Sequence, residues 1–250
     1  SFLLALVLGI GISVLSLSKL ITHLLKTQPL LVWAFFFGLV VASILFVGKQ
    51  ITQWKITSLL SLLAGVIIAY YITIAEPTSS PDSYGYLFLS GVVGIIAMIL
   101  PGVSGAFILL LMGSYETVMN TINSFRTGLF TFDWELLWPA LTKLITFALG
   151  ALLGLKLFSK ILTWMFDRYR NVTLALLTGF MLGSLNKIWP WKEVITTRIN
   201  SHGETVPFME KSIFPQQFDG DPQYLSVTML MVVGFLVIFI LEKAATKLSR

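Results

Sequence analysis

The stretch IIAMILPGVSGAFILLLMGSY, residues 95–115, is apolar enough for a membrane interior but is interrupted by Pro101-Gly102-Val103-Ser104-Gly105. Proline lacks an amide donor and glycine tolerates turns that other residues resist, so one helix ends here and another begins. Backbone groups freed inside a membrane cannot face lipid, and the break is therefore expected to be buried in protein or to line a wet cavity. Transporters place their substrates at breaks of this kind.

The composition predicts one integral membrane domain. Hydrophobic residues make up 56% of the 250 residues and charged residues 12%, about half the ~25% of soluble domains, and the mean hydropathy is +0.87. The net charge of +5 would suggest a nucleic-acid partner in a soluble protein. Here the basic residues lie in short segments between apolar spans, as the positive-inside rule describes. We therefore expect membrane lipids, and no nucleic acid, as partners.

Six apolar runs are close to the length that crosses the ~30 Å hydrocarbon core as a helix. They cover Phe2–Leu25, Leu30–Val47, Ile56–Ala75, Leu136–Leu162, Val172–Trp189 and Leu225–Leu241. The interrupted segment differs, because its arms Leu87–Leu100 and Ala106–Ile122 are short. The first arm would be only about 21 Å long as a helix. The two arms form either a re-entrant hairpin or a single broken crossing.

The charges between the spans favour the hairpin. Segments rich in Lys and Arg are placed in the cytoplasm and the others outside. The basic segments are 49–55, 155–170 and 242–250, and the others are 76–84 and 192–224. These placements agree only if Leu87–Ile122 makes no net crossing. The predicted fold is therefore an all-α polytopic membrane protein with a re-entrant helical hairpin broken at Pro-Gly-Val-Ser-Gly. Lys19 and Lys26, on the external side, are the exception.

An internal repeat supports this topology. A shift of 141 residues aligns Leu6–Ile44 with Phe147–Leu185 without a gap, and it matches Lys19 with Lys160 in the same Ser and Thr setting. An odd number of crossings separates the copies, so they form the inverted repeat common in transporters. The alternative is a chance similarity of two apolar hairpins. The repeat partner of Pro101 would lie about 40 residues before Ser1, so we expect that a first hairpin precedes this sequence.

These patterns predict a single transmembrane transporter domain over residues 1–250. Its parts are the remainder of the first repeat at 1–75, the second repeat at 86–191, an external loop at 192–224 and a final transmembrane helix at 225–242.

Three motifs occur in a fixed order along the chain: Ala97 to Gly105, which contains the broken turn, Gly113-Ser114-Tyr115-Glu116, and Gly183 to Trp191. Together they resemble the polytopic polyprenyl-phosphate transporter family, over most of the chain. The resemblance implies a multi-pass protein of the cytoplasmic membrane. It also implies a flippase that returns undecaprenyl phosphate from the outer to the inner leaflet for cell-envelope synthesis. Family members usually carry an earlier Pro-Gly-Val-Ser-Gly-Gly turn preceded by Asp, which this sequence lacks.

A lipid phosphate needs an anion site at membrane depth and a sideways opening for its tail. The free amides after Gly102 open a helix at Ala106, and Ser104 adds a hydroxyl donor. The predicted substrate-binding turn comprises Pro101, Gly102, Val103, Ser104, Gly105 and Ala106. The alternative is that its small residues only permit tight helix packing.

Four charged residues are candidates to complete the site. Arg126, Lys19 and Lys160 could supply positive charge to the phosphate. The alternatives are a surface loop for Arg126 and snorkelling to the interface for the lysines. Glu116, about three turns beyond the break, could carry a coupling proton or act as counterion, or could lie at the membrane surface. H⁺ or Na⁺ is the coupling ion that such a site would use.

The remaining features point away from catalysis. Trp189-Pro190-Trp191, with lysines on both sides, is typical of an interfacial aromatic anchor. His23 and His202 are isolated, and no metal-ligand spacing, cofactor motif or nucleophile–base pair occurs. We expect a transporter without cofactors rather than an enzyme. The alternatives are an ion-coupled symporter of a small soluble anion, which would need an aqueous path, and a membrane phosphatase acting on the same lipid.

Overall fold

The structure is a computed structural model that describes residues 9, 20–81, 83–199 and 205–248. Its helices are α1 (Pro29–Lys49), α2 (Ile56–Ile74), α3 (Tyr84–Ile99), α4 (Gly105–Leu111), α5 (Tyr115–Thr131), α6 (Trp134–Ser184) and α7 (Tyr224–Leu248), and its strands are β1 (Lys192–Ile199) and β2 (Thr205–Ser212). Four of these helices, α1, α2, α6 and α7, are long and apolar enough to cross a membrane. The predicted all-α polytopic membrane protein is confirmed. Most of the first predicted span, Phe2–Leu25, lies outside the described residues.

The chain divides into two compact units. The first takes the described parts of Ser1–Ser43, Ile188–Glu193 and Ser212–Arg250, and the second takes those of Ile44–Lys187 and Val194–Lys211. The predicted turn and most of the predicted site residues belong to the second unit.

Helices α1 and α7 pack closely in the first unit. A Cβ added to Gly38 would meet the backbone of Met231, and one added to Gly234 would meet the carbonyl of Phe35. Leu30 and Val227, each near the start of its helix, share one buried cluster. The two helices therefore run in the same direction, as the predicted topology requires of the second and last spans.

The tryptophans of the Trp-Pro-Trp motif belong to the same cluster, which makes the predicted interfacial anchor wrong. Trp191 is only 6% exposed. Its indole N–H donates to the carbonyl of Pro222 at 3.0 Å, and that of Trp189 donates to the carbonyl of Ile213 at 3.0 Å. Buried indoles need such acceptors. These tryptophans therefore form a protein core rather than a contact with the membrane surface.

The second unit is built around α6, which reverses direction at Tyr169. This residue has non-helical angles (φ −136°, ψ 47°). The hydroxyl of Thr173 reaches the carbonyl of Met165, eight positions earlier, at 3.0 Å. Eight residues of straight helix would span about 12 Å, so the two arms fold back on one another. The sequence predicted two spans here, and the structure joins them with one non-helical residue instead of a loop.

Each arm of α6 runs parallel to an earlier helix. Contacts between α3 and the first arm join residues at a nearly constant separation in the sequence. Tyr84 bonds Thr142, which is 58 positions later, and Ile95 lies against Gly154, which is 59 positions later. Against the second arm, Ser61 bonds the carbonyl of Val172 at an offset of 111. The side-chain amide of Asn186 donates to the hydroxyl of Thr73, 113 positions earlier. These directions agree with those predicted from the loop charges.

Small residues let these helices approach closely. Added Cβ atoms would meet the backbone of a facing helix at six glycines: Gly65, Gly91, Gly150, Gly154, Gly179 and Gly183. Helices in membranes associate through such packing because lipid provides little hydrophobic driving force between them. The small-residue packing that was an alternative for the Pro-Gly turn is therefore the rule along α2, α3 and α6.

The second arm of the interrupted segment differs from its prediction. The sequence predicted one helix over Ala106–Ile122, whereas the structure has two, α4 and α5, bent by 107°. Gly113, between them, has φ +67°, and an added Cβ would also meet the backbone of Ser80 at 2.7 Å. Glycine tolerates this left-handed conformation and this approach. Glu116 consequently lies in the first turn of α5 and not three turns along an apolar helix.

Residues 192–224 were predicted as a loop and instead contain the strands β1 and β2, paired as a two-stranded sheet. Residues at the start and at the end of β2 alternate between exposed and partly buried, as in a strand with one covered face. The 3₁₀ turn Pro215–Gln217 follows, and then α7, which contains the predicted final span.

Candidate functional site

The Pro101–Gly105 turn joins α3 and α4 as an antiparallel hairpin. A Cβ on Gly94 would meet the side chain of Leu109 at 3.1 Å, and one on Gly105 would meet the carbonyl of Gly94 at 2.8 Å and the side chain of Met98. Residues before and after the turn therefore face each other, as the hairpin prediction requires. The backbone of α4 returns toward the start of α3.

The far end of the hairpin is fastened beside the start of α3. The backbone N–H of Thr78 donates to the carbonyl of Leu111 at 2.8 Å, and the hydroxyl of Tyr86 donates to the carbonyl of Met112 at 2.9 Å. The buried hydroxyls of Ser90 and Ser114 are 2.7 Å apart. Both ends of the hairpin thus lie at the same end of the helix pair, so α3 and α4 make no net crossing of the second unit.

The depth of the turn follows from its register with α6. Gly154 lies beside Ile95, so residue 159 of α6 is level with Leu100, ten positions before the reversal at Tyr169. Ten residues of helix rise about 15 Å, half of the ~30 Å hydrocarbon core. Charged residues flank the reversal at Asp167, Arg168 and Arg170, which places it at a membrane face. We therefore infer that the turn lies close to the midplane, which stays a prediction.

Two features of the structure require glycine at position 102. Its φ is +82°, and a Cβ added there would meet the hydroxyl of Ser184, with the Cα of Met181 at 3.1 Å. The turn thus packs on the last residues of α6. The sequence placed this glycine in the predicted substrate-binding turn, a role that stays a prediction. The structure shows that it lets α6 approach.

Ser104 caps α4 with its side chain. Its hydroxyl oxygen accepts from the backbone N–H of Phe107 at 3.3 Å, as an N-cap serine does. The hydroxyl proton is left to donate elsewhere. Helix α4 begins at Gly105 rather than at Ala106 and has only 7 residues, so its dipole adds little. Within the described ranges, the backbone amides of Gly105 and Ala106 have no protein acceptor.

One face of the turn is open. Gly102, Ser104 and Ala106 are exposed, whereas Gly105 is buried. At the depth derived above, an open face with free amide donors needs a polar partner, because such groups are costly in hydrocarbon. The arrangement suits an anion that reaches the turn sideways.

Lys187 approaches the start of α4 at Phe107. Its ammonium lies 4.4 Å from the centroid of the Phe107 ring and 3.9 Å from the Oε2 atom of Glu210 on β2. Its backbone N–H donates to the carbonyl of Ser184 at 2.9 Å. Burial lowers the pKa of Lys187 below its usual value, and the Glu210 carboxylate opposes this. Sequence analysis missed Lys187 as a site residue, although it belongs to the motif Gly183 to Trp191.

A small cavity lies beside Lys187. It measures about 40 Å³ and is lined by Thr73, Ile74, Ala75, Pro77, Phe107, Lys187, Phe208, Met209 and Glu210. This is room for a few water molecules and not for a phosphate.

The charged residues predicted from sequence are not gathered at the turn by any described contact. Arg126 is exposed on α5, and Lys160 is exposed on α6. Lys160 is level with the turn but about 120° around the helix from Gly154, which faces α3. Glu116 is exposed at the start of α5. Lys19 lies outside the described residues.

A larger polar cavity of about 240 Å³ lies near the start of α3. Its lining includes Ser83, Tyr86, Ser114, Thr117 and Lys143. Ser83 caps α3, and Tyr86 and Ser114 make the fastening contacts described above. These polar side chains thus stabilise the bend at Gly113 between α4 and α5.

Comparison with known proteins identifies a family. Residues 1–206 match the sequence profile of a family described as undecaprenyl phosphate translocase-like. The chain is 42% identical, over 98% of its length and 77% of the relative's, to a protein of Vibrio cholerae named polyprenyl-phosphate transporter. A protein of Staphylococcus aureus with the same name is 29% identical over 76% of this chain and 69% of its own. No solved structure matches.

Proposed function

Because the chain belongs to the family of undecaprenyl phosphate translocase-like proteins, we propose that it transports a polyprenyl phosphate across the membrane. We further propose that it returns undecaprenyl phosphate from the outer to the inner leaflet of the cytoplasmic membrane, for reuse in envelope synthesis. The lipid crosses without chemical change, so the protein is a transporter and not an enzyme. Two relatives named polyprenyl-phosphate transporter support the substrate class.

The observation that carries this proposal is the open turn near the midplane. A head group placed against it would accept hydrogen bonds from the amides of Gly105 and Ala106 and from the hydroxyl of Ser104. Pro101, Gly102 and Val103 form the wall behind it. The isoprenoid tail would stay in lipid on the exposed side of the turn. A site for a soluble anion would have no use for a sideways opening.

The site also needs positive charge. A phosphate dianion that is only hydrogen-bonded to amides remains undercompensated in a medium of low dielectric constant, at a cost of several kcal/mol. Arg126, Lys160 and Lys19 are the cations proposed from sequence. Glu116 would serve as proton carrier or counterion, with H⁺ or Na⁺ as the coupling ion.

Binding selectivity tests the substrate class. Purified protein should bind undecaprenyl phosphate, and inorganic phosphate at large excess should not displace it, because the tail contributes to affinity. Displacement by inorganic phosphate would support the ion-coupled symporter of a soluble anion instead.

Ser104→Ala tests the place of binding. Loss of one hydroxyl donor should weaken lipid binding by ~0.5–1.5 kcal/mol, or up to ~3 kcal/mol if the hydrogen bond is charge-assisted. Loss of the cap should also lower stability by about 1 kcal/mol, so both quantities are measured by titration and thermal unfolding. Ser159→Ala, at an exposed serine of α6, is the matched control. Unchanged lipid affinity in Ser104→Ala would remove the turn from the site.

A further inference from the structure

Lys187 is held against the proposed head-group site from two directions. Its ammonium contacts the ring of Phe107, and the backbone N–H of Phe107 is bound by the hydroxyl of Ser104. Its own backbone is fixed to Ser184, which lies against Gly102. The segment 184–187 therefore touches both the turn and the first residues of α4.

The present partner of Lys187 is a carboxylate carried by the β-hairpin. Glu210 and Lys187 are partly buried, with side chains 20% and 29% exposed, and their charged atoms are 3.9 Å apart. A lysine removed from water in this way requires an anion nearby. Glu210 supplies it from β2, and its neighbours Phe208 and Met209 close the same cavity.

The cavity is too small for a phosphate while Glu210 occupies its wall. A head group could contact Lys187 only if the Glu210 side chain moved away. Exchange of the Glu210 carboxylate for the phosphate would keep an anion beside the charged ammonium of Lys187 before and after binding. A dianion attracts the ammonium more strongly than a single carboxylate does.

We propose that Lys187 is the cation that binds the phosphate head group, and that Glu210 is an internal counterion which holds Lys187 in the absence of lipid and is displaced by the phosphate. This inference rests on the proposed function. It assigns to Lys187 the role that sequence analysis gave to Arg126, Lys19 or Lys160. It also gives the β1–β2 hairpin a part in transport, since displacement of Glu210 must alter the wall that the hairpin contributes.

The test measures the affinity of purified protein in nanodiscs for undecaprenyl phosphate labelled with a fluorophore on its tail. Lys187→Ala should weaken binding about 10- to 100-fold, the range of charge-assisted hydrogen bonds. Lys187→Arg should keep most of the affinity. Glu210→Gln should tighten binding about two- to fivefold, because a competing anion is removed. Lys211→Ala on β2 and Glu193→Gln on β1, both exposed, are charge-matched controls and should bind as the parent does.

Loss of one charge of a buried pair can destabilise a protein, so a double variant is included. Lys187→Gln with Glu210→Gln leaves no unpaired charge and should bind as weakly as Lys187→Ala. The inference is overturned if the double variant binds like the parent, or if Glu210→Gln weakens binding as much as Lys187→Ala. Failure of the parent protein to bind the lipid would instead overturn the proposed function. If the parent protein binds the lipid and the variants bind it with the same affinity, this inference alone is overturned.

Discussion

At the scale of single residues, Gly102 makes a packing contact that the sequence did not predict. The sequence marks it as a glycine in a turn, which it is. The residue that packs against Gly102 is Ser184. The sequence did not predict this contact, because Ser184 is 82 positions away and is brought to the turn by the reversal of α6. The same reversal delivers Lys187. Its charge and its place before Trp-Pro-Trp indicated a membrane surface, so no local signal identified it.

Gly102→Ala should destabilise the protein through packing. A left-handed alanine costs roughly 1–2 kcal/mol, and overpacking against Ser184 adds about 1–3 kcal/mol. Thermal unfolding in detergent measures the sum. Adding Ser184→Gly to the Gly102→Ala protein should recover part of the stability lost to overpacking, but not the part lost to the left-handed backbone conformation. A Gly102→Ala protein as stable as the parent would show that the turn does not pack on α6.

The pKa of Lys187 predicts how lipid binding depends on pH. Above pH 7 the charge of the phosphate changes little, so binding should fall as Lys187 loses its proton. Burial lowers that pKa and Glu210 raises it, and these two are the titratable groups of the cavity. Glu210→Gln removes the raising influence, so its loss of binding should begin at a lower pH than in the parent. Affinity measured from pH 7 to 10.5 checks this, and a shift to higher pH in Glu210→Gln would contradict it.

At the scale of elements, the spans were predictable and their breaks only partly so. Apolar length identifies α1, α2, α6 and α7, and Pro101 with Gly102 marks the hairpin turn. The break at Gly113 was missed because the apolar run Ile108–Met112 leads up to it, although Ser114 and Glu116 directly after it mark a more polar segment. The strands were missed because Pro207 and Pro215 near them suggested a loop. Side chains of a short hairpin carry little signal without the surface that covers one face.

The predicted repeat has equivalents within the described residues. Subtraction of 141 takes the reversal at Tyr169 to Gln28, where the helical segment 20–27 ends. Ala175 and its equivalent Ala34 are both 0% exposed. Gly179 meets the backbone of Leu62 as Gly38 meets that of Met231. Superposition of the full copies stays a prediction, because most of residues 6–19 lie outside the described part of the chain.

At the scale of the whole molecule, membrane topology is open to a direct test because the chain has no cysteine. Glu76→Cys and Arg126→Cys should react with an impermeant thiol reagent from the same side of the membrane, because the hairpin ends where it begins. Arg168→Cys, beside the reversal of α6, should react only from the opposite side. Labelling of intact cells and of inverted vesicles separates the two faces. Glu76 and Arg126 labelled from opposite sides would show that α3 to α5 cross the membrane.

Movement of a polyprenyl phosphate between leaflets, as proposed for this protein, can be measured in liposomes. The most direct measurement places the protein in liposomes that contain fluorescent undecaprenyl phosphate and follows how much of the probe an impermeant quencher reaches. We predict that protein-containing liposomes expose inner-leaflet probe far faster than protein-free ones. Fluorescent undecaprenol, which lacks the phosphate, should not be accelerated. Equal rates with and without protein, or equal acceleration of the phosphate-free lipid, would show that the protein is not a transporter of polyprenyl phosphate.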